Sequence, residues 1–226
     1  MINQILSAAE ELLPAILAVV IFIIVYRTFE KRRTSKLKDF ARGKLLQFSE
    51  KEEDEESEFV KPADLLGEAY NIMSGIVGGI RMTMYDYQRS PRNPKAPMDQ
   101  TYLILEAEGL NLPAFSLSPK TTMHRIAGVA GYRDIPFPGR KDLSRRFLLR
   151  GKEVERIQAL FGPSVLSLLE KDPRIYLEAN GDTIMFLNKP GSLIPPSRIQ
   201  VSKIQSFIDE GFALLHFLRE STGRVR

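Results

Sequence analysis

The sequence predicts an α+β protein: a single N-terminal transmembrane helix, then one domain with a mainly antiparallel sheet and packed helices. Three observations carry that expectation. Leu12 to Tyr26, LLPAILAVVIFIIVY, is an uncharged apolar run. Asn180-Gly181 separates two β-patterned segments, RIYLEA and DTIMFLNK, as the turn of a hairpin does. Strand-patterned segments fall early and late, with helix-patterned ones between and after them, which favours an antiparallel sheet over alternating βαβ units.

The apolar run is about 22 Å long at 1.5 Å per residue, short of a hydrocarbon core of about 30 Å. Ile5, Leu6, Ala8 and Ala9 extend it upstream, Tyr26 and Phe29 suit the opposite interface, and Arg27 is long enough to snorkel. A cleaved signal peptide carries positive charge before its apolar run and small residues after it. Here Glu10 and Glu11 precede the run and YRTFEKRR follows. A helix in a soluble core shows a polar stripe, whereas Ala15 to Tyr26 is apolar all round. The reading is an uncleaved anchor.

Behind the anchor, Arg27, Lys31, Arg32, Arg33, Lys36, Lys38, Arg42 and Lys44 face only Glu30 and Asp39, a net +6. Lys and Arg accumulate on the cytoplasmic side, so the expectation is a single pass of the inner (plasma) membrane with the C-terminal domain in the cytoplasm. The same eight cations are candidates for contact with anionic lipid headgroups. The absence of cysteine is compatible with a reducing compartment. The apolar fraction of 43% and charged fraction of 27% are those of a folded protein. The overall charge of +4 averages segments of opposite sign and calls for no nucleic-acid partner.

The expected organisation is an anchor over residues 1–29, a basic juxtamembrane segment and acidic linker over 30–58, and the domain over 59–226. Thr34 to Phe48 spaces Leu37, Phe40, Ala41, Leu45 and Phe48 as a helix does, either lying basic and amphipathic in the headgroups or continuing the anchor. Residues 50–58, EKEEDEESE, read as a solvated linker, since they lack the glycine and ligand spacing of a calcium loop. Pro62 to Met73 has helical spacing, residues 80–89 alternate as a half-buried strand does, and residues 100–107 read as a further strand. In GIVGG the glycines suit a bulge or close backbone approach, not a phosphate cradle, because a strand follows. Asn111 to Leu117 is a strand whose Pro113 suggests an edge or bulge. Residues 120–130 suit a helical turn and 131–139 an irregular stretch. A strand over 147–150 and helices over 152–161 and 164–171 follow, then the hairpin. Ser197 is placed to cap a last helix that reaches about Arg219 and buries Ile204, Phe207, Ile208, Leu215 and Leu218.

YDYQ at Tyr85–Gln88, QTYLIL, LPAFSLSPK at Leu112–Lys120, RDIPF at Arg133–Phe137 and FLLRGKEVERIQALFGPSV at Phe147–Val165 occur in that order. The combination resembles a group of uncharacterised bacterial proteins with one N-terminal membrane segment and a cytoplasmic α+β domain. That group brings no activity, cofactor or site. The resemblance implies one neighbourhood for Tyr85, Asp86, Pro113, Phe115, Pro119, Asp134 and Phe137.

Without cysteine there is no thiol nucleophile and no thiolate zinc site. His124 and His216 are the two imidazoles, and His216 suits a surface or packed position in the last helix. Ser116 or Ser118 with His124 and Asp134 lacks the GxSxG elbow of a hydrolase. Asp86, between two tyrosines, and Asp134 are the acid–base candidates; the structural alternative is a carboxylate accepting backbone N–H groups. The cations Arg133, Arg140, Lys141, Arg145, Arg146, Arg150 and Lys152 suit lipid headgroups, an acidic partner or a solvated surface. No catalytic, cofactor or metal residue is assigned. The expected function is a membrane-tethered adaptor or assembly domain, with anionic bilayer and another membrane or cytoplasmic protein as partners. The alternative is a membrane-associated enzyme using carboxylates near Asp86 and Asp134.

Overall fold

The computed structural model describes residues 2–51, 67–89, 100–120, 134–188 and 198–223. The chain divides into two compact units, Met1–Phe40 and Ala41–Arg226. The first is built by helix α1 (Ile2–Gly43), which carries Pro14 inside it. By length and composition α1 contains one segment apolar enough to cross a membrane, and its residues from Leu13 to Phe29 expose their large apolar side chains. From Arg27 to Gly43 the helix continues without a break. Residues 34–43 are thus part of the same unbroken helix as the apolar run.

The helical spacing predicted up to Phe48 fails at α1's end. Leu46 N–H donates to the Ala41 carbonyl at 2.9 Å and Leu45 N–H to that of Arg42 at 3.2 Å, the paired bonds of a Schellman stop. Leu45 takes the left-handed position, φ 58°, where glycine is usual and a leucine costs about 1–2 kcal/mol. The reversal lets β1 (Gln47–Lys51) pair with β2 (Gly67–Val77), so the sheet begins at Gln47 and takes in the first two residues of the EKEEDEESE run.

The second unit is an antiparallel sheet of eight strands with helices. β3 (Ile80–Arg89), β4 (Gln100–Glu106) and β5 (Leu112–Pro119) precede α2 (Lys141–Arg146) and β6 (Phe147–Gly151). α3 (Val154–Leu160), α4 (Pro163–Lys171), β7 (Ile175–Gly181), β8 (Thr183–Asn188) and α5 (Ile204–Gly223) complete it. The strand order is β1-β2-β3-β4-β8-β7-β5-β6.

Two hairpins set the register. β2 and β3 close on Gly78-Gly79, φ 59° and 80°, with Val77 opposite Ile80; two positive φ values are the type I′ turn. In β7–β8 the facing pair is Asn180 and Thr183, which makes Gly181-Asp182 the turn. The predicted hairpin is present, one residue later than expected. Gly181 alone takes a positive φ, 58°, so this is a glycine-first turn of the II′ kind.

The helix predicted over Pro62–Met73 is a strand from Gly67 onward; residues 62–66 lie outside the described residues. Its cause is a bulge. Tyr70 faces Asp86 and Met73 faces Met84, so Asn71 and Ile72 together oppose one residue, and Asn71 takes φ 52°. The extra residue turns Ala69 and Met73 to opposite faces. Both faces are buried there, and the resulting four-residue spacing imitates a helix. Pro113 marks a second bulge, between Leu112 and Phe115 on β5, an interior strand.

Helices cover one face of the sheet. A Cβ on Gly211 of α5 would lie 2.4 Å from Leu103 Cδ2, Phe207 stacks on Phe186 at 5.1 Å, and Phe161 packs edge-on against Phe115 and Phe137. α5 buries Ile204, Phe207, Ile208, Leu215 and Leu218 as its periodicity predicts. It begins after a 3₁₀ turn at Val201–Lys203, and Ser197 lies outside the described residues. The opposite face carries Tyr85, Tyr87, Tyr102, Tyr176, Ile104 and Met185 in one buried cluster.

Candidate functional site

Alternation along β3 decides what surrounds Asp86. Tyr85 and Tyr87 point to the tyrosine face, so Asp86 points to the helix-covered face, and the hydroxyls of those two flanking tyrosines do not hydrogen-bond its carboxylate. Thr101 Oγ1 donates to Oδ1 at 2.7 Å and Asn71 Nδ2 to Oδ2 at 3.0 Å. Thr101 Oγ1 in turn accepts from Ile199 N–H at 3.1 Å. Beside them Arg198 donates to the Tyr70 hydroxyl at 2.5 Å, its guanidinium 5.7 Å from that ring. The β2 bulge thus aims Asn71 at a buried carboxylate that also fixes the lead-in to α5.

Asp134 is elsewhere. It bridges to Arg150 of β6, pairs with that guanidinium at 3.4 Å and with Lys120 at 3.9 Å, and its side chain is 52% exposed. β3 and β6 are separated by β4, β8, β7 and β5, five strand steps of about 4.8 Å each. No shared acid–base site joins the two carboxylates. The neighbourhood expected from the resemblance splits the same way: Phe115 and Phe137 meet at Phe161, while Tyr85 stacks on Tyr102 at 5.2 Å.

Ser116 and Ser118 are buried in β5, and His124 lies outside the described residues. His216 is exposed on α5 and meets Glu220 at 3.1 Å. Burial pushes the Tyr102 and Tyr176 hydroxyls far above the ordinary phenol value, which keeps both as neutral phenols, Tyr176 donating to Glu178 at 2.7 Å. Among the described residues, His, Asp and Glu form no group of three that could hold a metal ion.

Three of the cations near β6 are fasteners, Arg150 through its pairing with Asp134. Arg140 pairs with Asp142 and with Glu170 of α4, and its hydrogen bonds hold the Asp142 carboxyl below the usual range. Arg146 donates to the carbonyls of Leu169 and Glu170 at 3.4 Å, capping the C-terminal end of α4. Lys141, Arg145 and Lys152 are exposed, and Arg133 lies outside the described residues.

One surface went unread in the sequence. Leu45 is 95% exposed and Ile76 72%, with Val77 beside them. Periodicity assigned Leu45 to a helix face, and only the Schellman stop reveals it as a protruding side chain. GIVGG held half the signal: Gly78-Gly79 is a tight turn, and Gly75 admits Leu46, whose Cδ2 lies 2.7 Å from where a Cβ would be.

No family model matches this sequence, and no curated protein does. The fold has a solved precedent. The crystal structure of the mycobacterial trehalose monomycolate transport factor A, TtfA, is similar with a TM-score of 0.56 at 10% identity. The match covers 84% of this chain and 93% of that one. At that identity the likeness establishes a shared fold.

Proposed function

We propose that this protein is a membrane-tethered accessory factor, an adaptor or assembly module that works on the cytoplasmic side of the inner membrane beside a membrane-embedded partner. The observation that carries this reading is α1, whose exposed apolar stretch from Leu13 to Tyr26 ends at a run of cations. A bilayer is what such a surface fits, and the charge asymmetry orients it. The shared fold with a transport factor supports an accessory role; the neighbour's cargo stays with the neighbour.

Within this reading, Arg27, Lys31, Arg32 and Arg33 are the headgroup contacts. They fall within about 10 Å of helical rise after Tyr26, close to one Debye length of about 8 Å. Lys36, Lys38, Arg42 and Lys44 lie about 15 Å or more along. The test is a paired capture in mild detergent. The full chain should recover a membrane protein in near-stoichiometric amount from the membranes that hold it. A chain lacking residues 2–26 should leave the membrane fraction and lose that protein. Recovery of no membrane protein by the full chain contradicts the accessory reading.

A further inference from the structure

We propose that Lys141 and Arg145 of α2, with Lys171 of α4, rest the sheet domain on the anionic headgroups of the bilayer that holds its anchor. The proposal deepens the accessory reading and rests on it for the presence of that bilayer.

The first argument is that these three cations are unspent. Lys141, Arg145 and Lys171 are exposed, and within the described residues none makes an ion pair, a side-chain hydrogen bond or a cation–π contact. Their neighbours do have partners. Arg140 takes both adjacent carboxylates, Asp142 and Glu170. Arg146 covers the last carbonyls of α4, Leu169 and Glu170, at 3.4 Å, so the helix end does not consume Lys171 either.

The second is that one network brings the three together. Arg140 ties the start of α2 to Glu170, the residue before Lys171, and Arg146 ties the end of α2 to the same turn. Lys141 and Arg145 lie four residues apart on α2 and project as neighbours. Along this seam Arg140, Lys141, Arg145, Arg146 and Lys171 meet only Asp142 and Glu170.

The third is what the seam lacks. A protein interface is built around a desolvated apolar or aromatic centre. In the unit Ala41–Arg226, the exposed large apolar side chains among the described residues are Leu45, Ile76, Val77 and Val154, none of them on α2 or α4 beside these cations. Cations without an apolar centre fit a diffuse anionic surface, where each acts through its charge and needs no shaped pocket. The anchor supplies that surface at high effective concentration, because the domain is joined to it covalently.

The chain has no cysteine, so Ser167→Cys, exposed on α4 four residues before Lys171, takes a fluorophore at a single position. The full chain is reconstituted in phosphatidylcholine vesicles with or without phosphatidylglycerol, with a nitroxide on some headgroups of both leaflets, and the vesicles are floated. Quenching is expected only with phosphatidylglycerol, and is lost in about 1 M salt, where the Debye length is about 3 Å. Lys141→Ala, Arg145→Ala and Lys171→Ala should each lower the docked-to-undocked ratio about fivefold with flotation unchanged. Equal quenching in neutral vesicles, or quenching indifferent to the three substitutions, overturns the docking and spares the accessory reading. Flotation without quenching does the same and leaves the cations to an acidic protein. Failure of the chain to float overturns both.

Discussion

At the scale of single residues, the chain uses buried carboxylates and turn carboxylates as fasteners. Asp86 accepts from Asn71 and Thr101 in a site 1% exposed. Asp86→Ala strands those donors away from water, at a cost of about 1–3 kcal/mol. We expect denaturant unfolding to show that loss with membrane association unchanged; unchanged stability would contradict a structural role. Asp182 works on the surface. Its carboxylate accepts backbone N–H groups, Asn111 at 2.9 Å among them, and those bonds hold its pKa below the ordinary aspartate value of 3.8. The folded pKa lies below the unfolded one, so the stabilisation is present above about pH 4 and fades as pH falls through the folded value. An NMR titration should place the Asp182 carboxyl below 3.8, and Asp182→Ala should flatten stability against pH in that acid range. A midpoint at or above 3.8 contradicts the assignment. The pairing of Asn71 with Asp86 was illegible in the sequence because Asn71 reaches it only through a one-residue bulge.

At the scale of elements, legibility followed period and turn chemistry. β3, α3, α4 and α5 were readable because each keeps one period long enough to show it, and β4 because a short, mostly apolar run buried on both faces is itself strand-like. β2 was misread because its bulge interrupts alternation, and β1 because a leucine rather than a glycine ends α1. The β7–β8 turn was located by its glycine but shifted by one residue, since Gly181 leads the turn and does not follow Asn180 into it. Close packing gives a sharper test than propensity. A Cβ on Gly151 would lie 2.8 Å from the Ala114 carbonyl oxygen and 2.2 Å from Ile157 Cδ1. Gly151→Ala should therefore cost about 1–3 kcal/mol through forced separation of α3 from β5 and β6. Thermal unfolding measures it, and a neutral result would mean the helix moves aside freely.

At the scale of the whole molecule, the proposed division of labour is an anchor in the bilayer and a sheet domain that meets a protein. Cations near the membrane contribute about 1 kcal/mol each to holding orientation. Replacing Arg27, Lys31, Arg32 and Arg33 by Ala should scramble orientation more than replacing Lys36, Lys38, Arg42 and Lys44. Equal effects would contradict the graded contact with headgroups. The central claim is that α1 tethers the domain on the cytoplasmic side, and a pair of reporters fused after Arg226 tests it most directly. The account predicts that a reporter active only in the cytoplasm works and one active only outside the membrane stays silent. Activity of the outside reporter, with the cytoplasmic one silent, would contradict it.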